Sequence, residues 1–213
     1  SAGYGTGGVP GYVGRDSGAD SGTPSWEDGR DVAVCAEDAN VTMTYAGLAA
    51  WYAACLNKWY GGTHPESAGW IQDARNAYTW AKNHSADAMH TMMGAAGLYR
   101  VTGETGYQND FIANYSAPGE PEWSGPNWDE IAACLYATLP SNHPNLNTNQ
   151  QSTVKSDIES SANNYQLDYG YANRGYRAMH INQYQRFMLG TFSTPRMMLC
   201  ATAYQFTGNA RYL

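Results

Sequence analysis

Nineteen acidic residues, five histidines and four cysteines are the side chains of this 213-residue chain able to move protons, attack or bind metal. The cysteines, Cys35, Cys55, Cys134 and Cys200, show no C-x-x-C spacing, which argues against a zinc or redox site. Cys55, Cys134 and Cys200 fall at helix-core spacing, where a free thiol behaves as a small hydrophobe; a disulfide is the open alternative. Glu37, Glu120 and Glu122 sit in no recognisable motif. The other conspicuous chemistry is aromatic: 17 Tyr and 7 Trp stand against only 4 Phe. Few charges and many polar-tipped aromatics suit ligands that are neutral, hydroxylated and flat-faced, and sugar rings fit that description.

The charge balance excludes other partners. Lys and Arg total 12 and the net charge is -7, so the clustered cations that neutralise nucleic-acid phosphates are missing. No run of about 18 apolar residues occurs, which excludes a helical membrane span. Asn-x-Ser/Thr sequons at Asn40, Asn83 and Asn114 are possible glycosylation sites and point mildly toward an exported protein.

Helices must position these residues. Residues 1–34 are rich in Gly, Pro, Ser and Asp and read as an irregular lead-in. From Asn40 the spacing of Tyr45, Leu48, Tyr52, Cys55 and Trp59 predicts an amphipathic helix with those residues inward. Thr63 and Glu66 around Pro65 form a capping arrangement for a second helix carrying Trp70, Ala74, Ala77, Tyr78 and Ala81. A third helix carries Met89, Met92, Met93, Ala96 and Tyr99 and stops at Gly103; a fourth runs from about Glu104 to Tyr115. Asn127 and Glu130 open a helix with Trp128, Ile131, Leu135 and Leu139, and Val154, Ile158, Ala162 and Tyr165 share a face of the next. Residues 167–190 read as a long loop, and Ser193, Thr194 and Pro195 open a last helix with Met197, Cys200, Ala201 and Tyr204 inward. No segment alternates as a strand. The class is all-α, with 35–213 forming a single domain.

Two stretches repeat: Tyr99 to Tyr107, "YRVTGETGY", and Tyr204 to Tyr212, "YQFTGNARY". Each reads as a helix end, a glycine turn and the first turn of a returning helix, with the two tyrosines packed against each other. Serial α-hairpins without a constant short period point to a closed ring rather than a solenoid.

The order of segments resembles glycoside hydrolase family 9, inverting endoglucanases built as an (α/α) toroid of six hairpins. "ARNAYTWAKNH" is similar to the family's A-x-x-A-Y-x-W-A helix and "GAAGLYRVTGETGY" to its A-A-A-x-L-Y-x-A-T-G-x-x-x-Y element. "YVGRDSGADSGTPSWEDGR" is similar to its V-G-D-G…D-H…W…R stretch, and "NWDEIAACLYATL" to its S-W-D helix. The resemblance implies a secreted enzyme acting on β-1,4-glucan or a related polysaccharide. In the family the paired aspartates that activate water precede the matched region. The acid glutamate follows the helix that starts at the second T-G-x-x-x-Y. The chain is therefore expected to be a central portion of the catalytic domain, partnered by N- and C-terminal parts of the same enzyme, and inactive and poorly folded alone. Asp28 and Asp31 in "WEDGRD" are the nearest local match to the family's base motif; a solvated acidic turn is the alternative.

The resemblance places Trp26, Trp123, Trp128, Asp129, Tyr184 and Phe187 at the sugar cleft. Ser21 stands where the family has a histidine, and "FML" at 187–189 replaces a Trp-Gly-Ser. Met89 and His90 replace the Asp-Glu pair of a family calcium site, so neither calcium nor another cofactor is expected. His90 reads as an isolated mid-helix imidazole, and Trp51, Trp59, Trp70 and Trp80 as packing residues. A non-catalytic structural or sugar-binding descendant is the alternative to an enzyme.

Overall fold

The computed structural model describes residues 8–10, 13–15, 32–34, 36–119, 128–164 and 189–212. Helices carry the fold, as the periodicity predicts. Short strands β1 (Val9–Pro10) and β4 (Glu37–Asp38) pair antiparallel, as do β2 (Val13–Arg15) and β3 (Val32–Val34). The lead-in is thus not wholly irregular; two- and three-residue strands are too short to leave an alternating pattern.

The helices are α1 (Ala39–Trp59), α2 (Ser67–Asn83), α3 (Ala88–Thr102), α4 (Thr105–Asn114), α5 (Trp128–Ala137), α6 (Thr148–Ser161) and α7 (Leu189–Thr207). A 3-10 turn at Ala210–Tyr212 follows. They form two layers: α1, α3, α5 and α7 pack side by side, with α2, α4 and α6 behind them. α3 lies at the centre and is buried from Thr91 through Tyr99 without a break, as a helix with neighbours on every side must be.

Small residues bring α1 and α3 into backbone contact. A Cβ on Gly47 would meet the Met93 carbonyl oxygen at 2.5 Å, one on Gly94 would meet Met43 Sδ at 2.5 Å, and one on Gly97 would strike Gly47. The pairs 43/94 and 47/97 rise together, so the two helices run parallel. Arg100, near the end of α3, donates to the Leu135 carbonyl (2.6 Å) and Thr138 Oγ1 (2.9 Å), which makes α5 parallel to α3 as well.

This seam reverses the face expected for α1. The buried residues are Thr42, Met43, Thr44, Ala46, Gly47, Ala49, Ala50 and Ala53. Of the expected inward residues Tyr45 is partly buried against the core, whereas Leu48, Tyr52 and Trp59 are 38%, 47% and 84% exposed and Cys55 is exposed. α1 has two apolar faces, and the small one is chosen because it lets backbones approach. Trp59 is accordingly not a packing residue, while Trp51, Trp70 and Trp80 are partly buried against the core. On α7, Cys200 is inward as expected, with Leu199 and Ala203, but Met197, Ala201 and Tyr204 are exposed. α7 also begins at Leu189, before Ser193, so Pro195 falls inside it. Cys134 and Cys200 are free and buried; Cys55 is free. Cys35 lies outside the described residues.

The cap of α2 also differs from the expected one. Glu66 occupies the cap without a side-chain bond, and Ser67 Oγ instead donates to the His64 carbonyl at 2.8 Å. Gly103 and Gly208 both close their helices at φ 68°, and each amide donates to the carbonyl four residues back, Tyr99 and Tyr204 respectively, at 2.8 Å. The tyrosines of each copy do not pair. Tyr99 stacks on Tyr136 with centroids 5.9 Å apart, and Tyr107 meets Tyr78 edge-on at 5.1 Å.

Candidate functional site

Because α1, α3 and α5 are parallel, their N-termini open on one rim of the two-layer structure. Asp38 caps α1, its Oδ1 accepting from the Val41 amide at 2.8 Å. Thr42 Oγ1 donates to the Asp38 carbonyl (2.6 Å) and accepts from the Val9 amide (2.7 Å), so strand β1 is tied to the helix start.

Asp87 caps α3 and is the centre of a clasp. Asn40 Nδ2 donates to Asp87 Oδ2 at 3.0 Å, and Asn40 Oδ1 accepts from the Asp87 amide at 2.9 Å. Asp87 Oδ1 accepts from the His90 amide at 3.0 Å and meets His90 Nδ1 at 2.7 Å. Partial burial pushes the Asp87 carboxyl up, but the His90 amide and ring outweigh that and hold it below the usual aspartate range. His90 is therefore neither mid-helix nor isolated: it sits in the first turn of α3 and completes the cap. Asn40, a sequon asparagine, has both amide atoms engaged in the clasp.

At the start of α5, Asp129 is half-buried and Glu130 fully buried, where the helix dipole favours negative charge. Burial raises the Asp129 carboxyl, opposed by the amides of Glu130 and of Asp129 itself. Its Oδ1 accepts no hydrogen bond among the described residues. Trp128 is partly buried against the core beside it. Glu130, read from the sequence only as a start signal, is the most deeply buried carboxyl described here. Its position on the inward side of a helix whose i+2 to i+7 neighbours are all buried is the sequence sign that marks it.

Trp26, Asp28, Asp31, Ser21, Glu120, Glu122, Trp123, Asn127, Tyr165, Tyr184 and Phe187 lie outside the described residues. Of the expected cleft residues, Trp128 and Asp129 are placed, side by side on the rim. Asn40, Asp87 and His90 join the site from geometry alone. Among the described residues no group of three His, Cys, Asp or Glu is arranged to hold a metal ion. No helix of the described residues is long and apolar enough to cross a membrane.

Parallel helices packed in one layer and backed by a second layer of helices define an all-α fold of serial helical hairpins. Among solved structures, a glycoside hydrolase family 9 protein of Bacteroides ovatus matches 99% of this chain at TM-score 0.76 and 17% identity. A single mutant of the thermostable endoglucanase of Alicyclobacillus acidocaldarius matches 94% at TM-score 0.75 and 16% identity. A metagenome-derived family 9 endoglucanase matches 97% at TM-score 0.70 and 16% identity. The chain spans 43% of the first of these and 40% of the other two. No family model and no curated protein matches the sequence.

Proposed function

We propose that this chain is an arc of the α/α toroid of a secreted glycoside hydrolase that cleaves β-1,4-glucan or a related polysaccharide by inversion. The observation that carries the reading is the match of nearly the whole chain to family 9 structures at TM-score 0.76, over about two fifths of their length. Two features support the ring. The exposed apolar side chains Val41, Leu48, Tyr52 and Trp59 line α1, and Met197 and Tyr204 line α7. These helices are the two ends of the layer, where further hairpins of a ring would pack.

In this reading the rim faces the sugar. Trp128, with Trp26, Trp123, Tyr184 and Phe187, offers aromatic faces to the CH faces of the pyranose rings, and Asp129 accepts from hydroxyls. The Asn40–Asp87–His90 clasp fixes the α1 and α3 starts relative to each other, so that the rim is preformed. Inversion needs one protonated and one ionised carboxyl roughly 6.5–9.5 Å apart, with water between the base and the anomeric carbon. We assign these to parts of the ring beyond this arc, with Asp28 and Asp31 as the base only if those parts supply none.

The test uses the full-length protein on soluble β-1,4-glucan, with the anomer formed first followed by proton NMR. The α-anomer is expected. First formation of the β-anomer would reject inversion, and binding without turnover would favour the non-catalytic sugar-binding alternative.

A further inference from the structure

A second pocket lies away from the rim, between α2 and α4 in the back layer. It is an open groove of about 270 Å³ lined by Lys82 and Asn83 of α2 and by Glu104, Gly106, Tyr107 and Asp110 at the start of α4. That volume lies just under the roughly 300 Å³ where drug-sized sites begin, the scale of a single sugar ring.

Its charges are internally balanced. Arg75 pairs with both oxygens of Glu104, and Lys82 Nζ donates to Asp110 Oδ2 at 2.6 Å, where Tyr78 OH also donates at 2.8 Å. A charged ligand would gain little from such a lining. A neutral one finds a donor and an acceptor side by side: Lys82 keeps protons beyond the one it gives Asp110, and its side chain is 53% exposed. Asp110 Oδ1 accepts nothing among the described residues. An ammonium and a carboxylate oxygen held together complement two adjacent hydroxyls, one accepting from the cation and one donating to the anion. Tyr107, half-buried, held edge-on by Tyr78 and with the Arg75 guanidinium 5.9 Å from its ring centroid, supplies an aromatic edge beside them.

We propose that this pocket binds one neutral sugar ring through a vicinal diol, as a site separate from the rim. It rests on its own geometry, so its failure leaves the reading of the rim standing. The ring has two sources: the end of a free glucan, or a glycan on Asn83, which is exposed at the pocket edge in the sequon Asn83-His84-Ser85.

Hydrogen-exchange mass spectrometry of the full-length protein separates these outcomes. Made without glycosylation and given cellobiose, the protein should exchange about tenfold more slowly over 75–83 and 104–110 at ten times the dissociation constant. Tyr107→Ala should abolish that slowing. Gly106→Leu should abolish it too, and it fills the pocket without touching the core, because nothing lies within 4 Å of a Cβ placed at Gly106. Made in a glycosylating host, the protein should show the same slowing without cellobiose, and lose it on enzymatic deglycosylation, if the Asn83 glycan is the occupant. Slowing in either arm that both variants remove supports the site and names its source. Exchange unmoved in both arms, or slowing that survives both variants, overturns it. Protection by cellobiose confined to 36–40, 87–90 and 128–130 rejects the pocket while supporting the rim.

Discussion

The two Tyr-x-x-Thr-Gly turns have the same backbone and opposite surroundings. At Gly103 and Gly208 φ is 68°, and in each the threonine hydroxyl donates to the carbonyl four residues back, Thr102 to Leu98 and Thr207 to Ala203. Around the first turn the 140s loop closes tightly. Tyr99 OH donates to the Pro144 carbonyl at 2.8 Å, and Asn145 Nδ2 to the Gly103 carbonyl at 3.3 Å. Gln108 accepts from Tyr136 OH and from the Asn147 amide and donates to the Asn145 carbonyl. Among the described residues the second turn has no such cover: Tyr204 is 38% exposed, and a Cβ on Gly208 would meet nothing within 4 Å. Tyr212 is anchored, its hydroxyl donating toward Glu159 and Asn163. The turn is thus a local device that the sequence specifies twice, while its stability is set by what packs over it.

The largest expected contrast is at the leading tyrosines. Tyr99→Ala, which empties a fully buried stacked site, should cost about 3–5 kcal/mol, and Tyr204→Ala under about 1 kcal/mol. Chemical denaturation of the full-length variants measures both, and equal losses would break the comparison. Next come the glycines. Gly208→Ala should cost about 1–2 kcal/mol, the penalty of a side chain in the left-handed region. Gly103→Ala should cost more, because its Cβ would also meet Pro144 Cβ at 2.8 Å and overpacking adds about 1–3 kcal/mol.

A smaller effect concerns Glu104, which pairs with Arg75, whereas the Asn209 side chain at the matching place accepts from the Arg211 amide. Glu104→Asn makes the first turn resemble the second, and for so exposed a pair should cost about 0.2–1 kcal/mol, vanishing in high salt. The smallest effect is a pH response. His143 Nε2 lies 3.0 Å from the Tyr99 carbonyl. Burial depresses its pKa, the Tyr99 carbonyl partly opposes this, and Arg100 depresses it further. A histidine with a lowered folded pKa contributes stability that is complete above the unfolded value of 6.5 and is lost as pH falls through the folded one. Between pH 7 and pH 5 the Gly103 amide should exchange progressively faster relative to the Gly208 amide, by NMR with intrinsic pH effects divided out. A constant ratio would remove His143 from the account.

How much of this was legible in the sequence follows the same division. Helix order, the glycine stops and the buried faces of α2 and α3 could be read from spacing, because each depends on a few neighbouring residues. The inward face of α1 could not: Leu48, Tyr52 and Trp59 carry the stronger apolar period, and only contact with α3 selects the alanines and Gly47. Nor could the partners of Tyr99 and Tyr107, which come from residues more than 28 positions away. At the rim, the place of Trp128 and Asp129 at a sugar cleft is the resemblance's expectation, and the helix start that carries them was legible from the Asn127 and Glu130 signal. The Asn40–Asp87 clasp was not, since it joins residues 47 apart, and Asn40 reads more readily as a glycosylation sequon.

The glycine seam between α1 and α3 also acts as a fulcrum. Asn40 lies seven residues from Gly47, about 10 Å along the helix axis, and Asp87 stands at a similar distance from Gly94 on the other arm. With backbone resting on backbone, the two helices have almost no slack at that point, so rim positions are set to within the tolerance of the seam. A methyl wedged in at Gly47 or Gly97 would prise the helices apart at the pivot and swing their far ends. The groups that meet at the rim would then lose register without any of them having been changed.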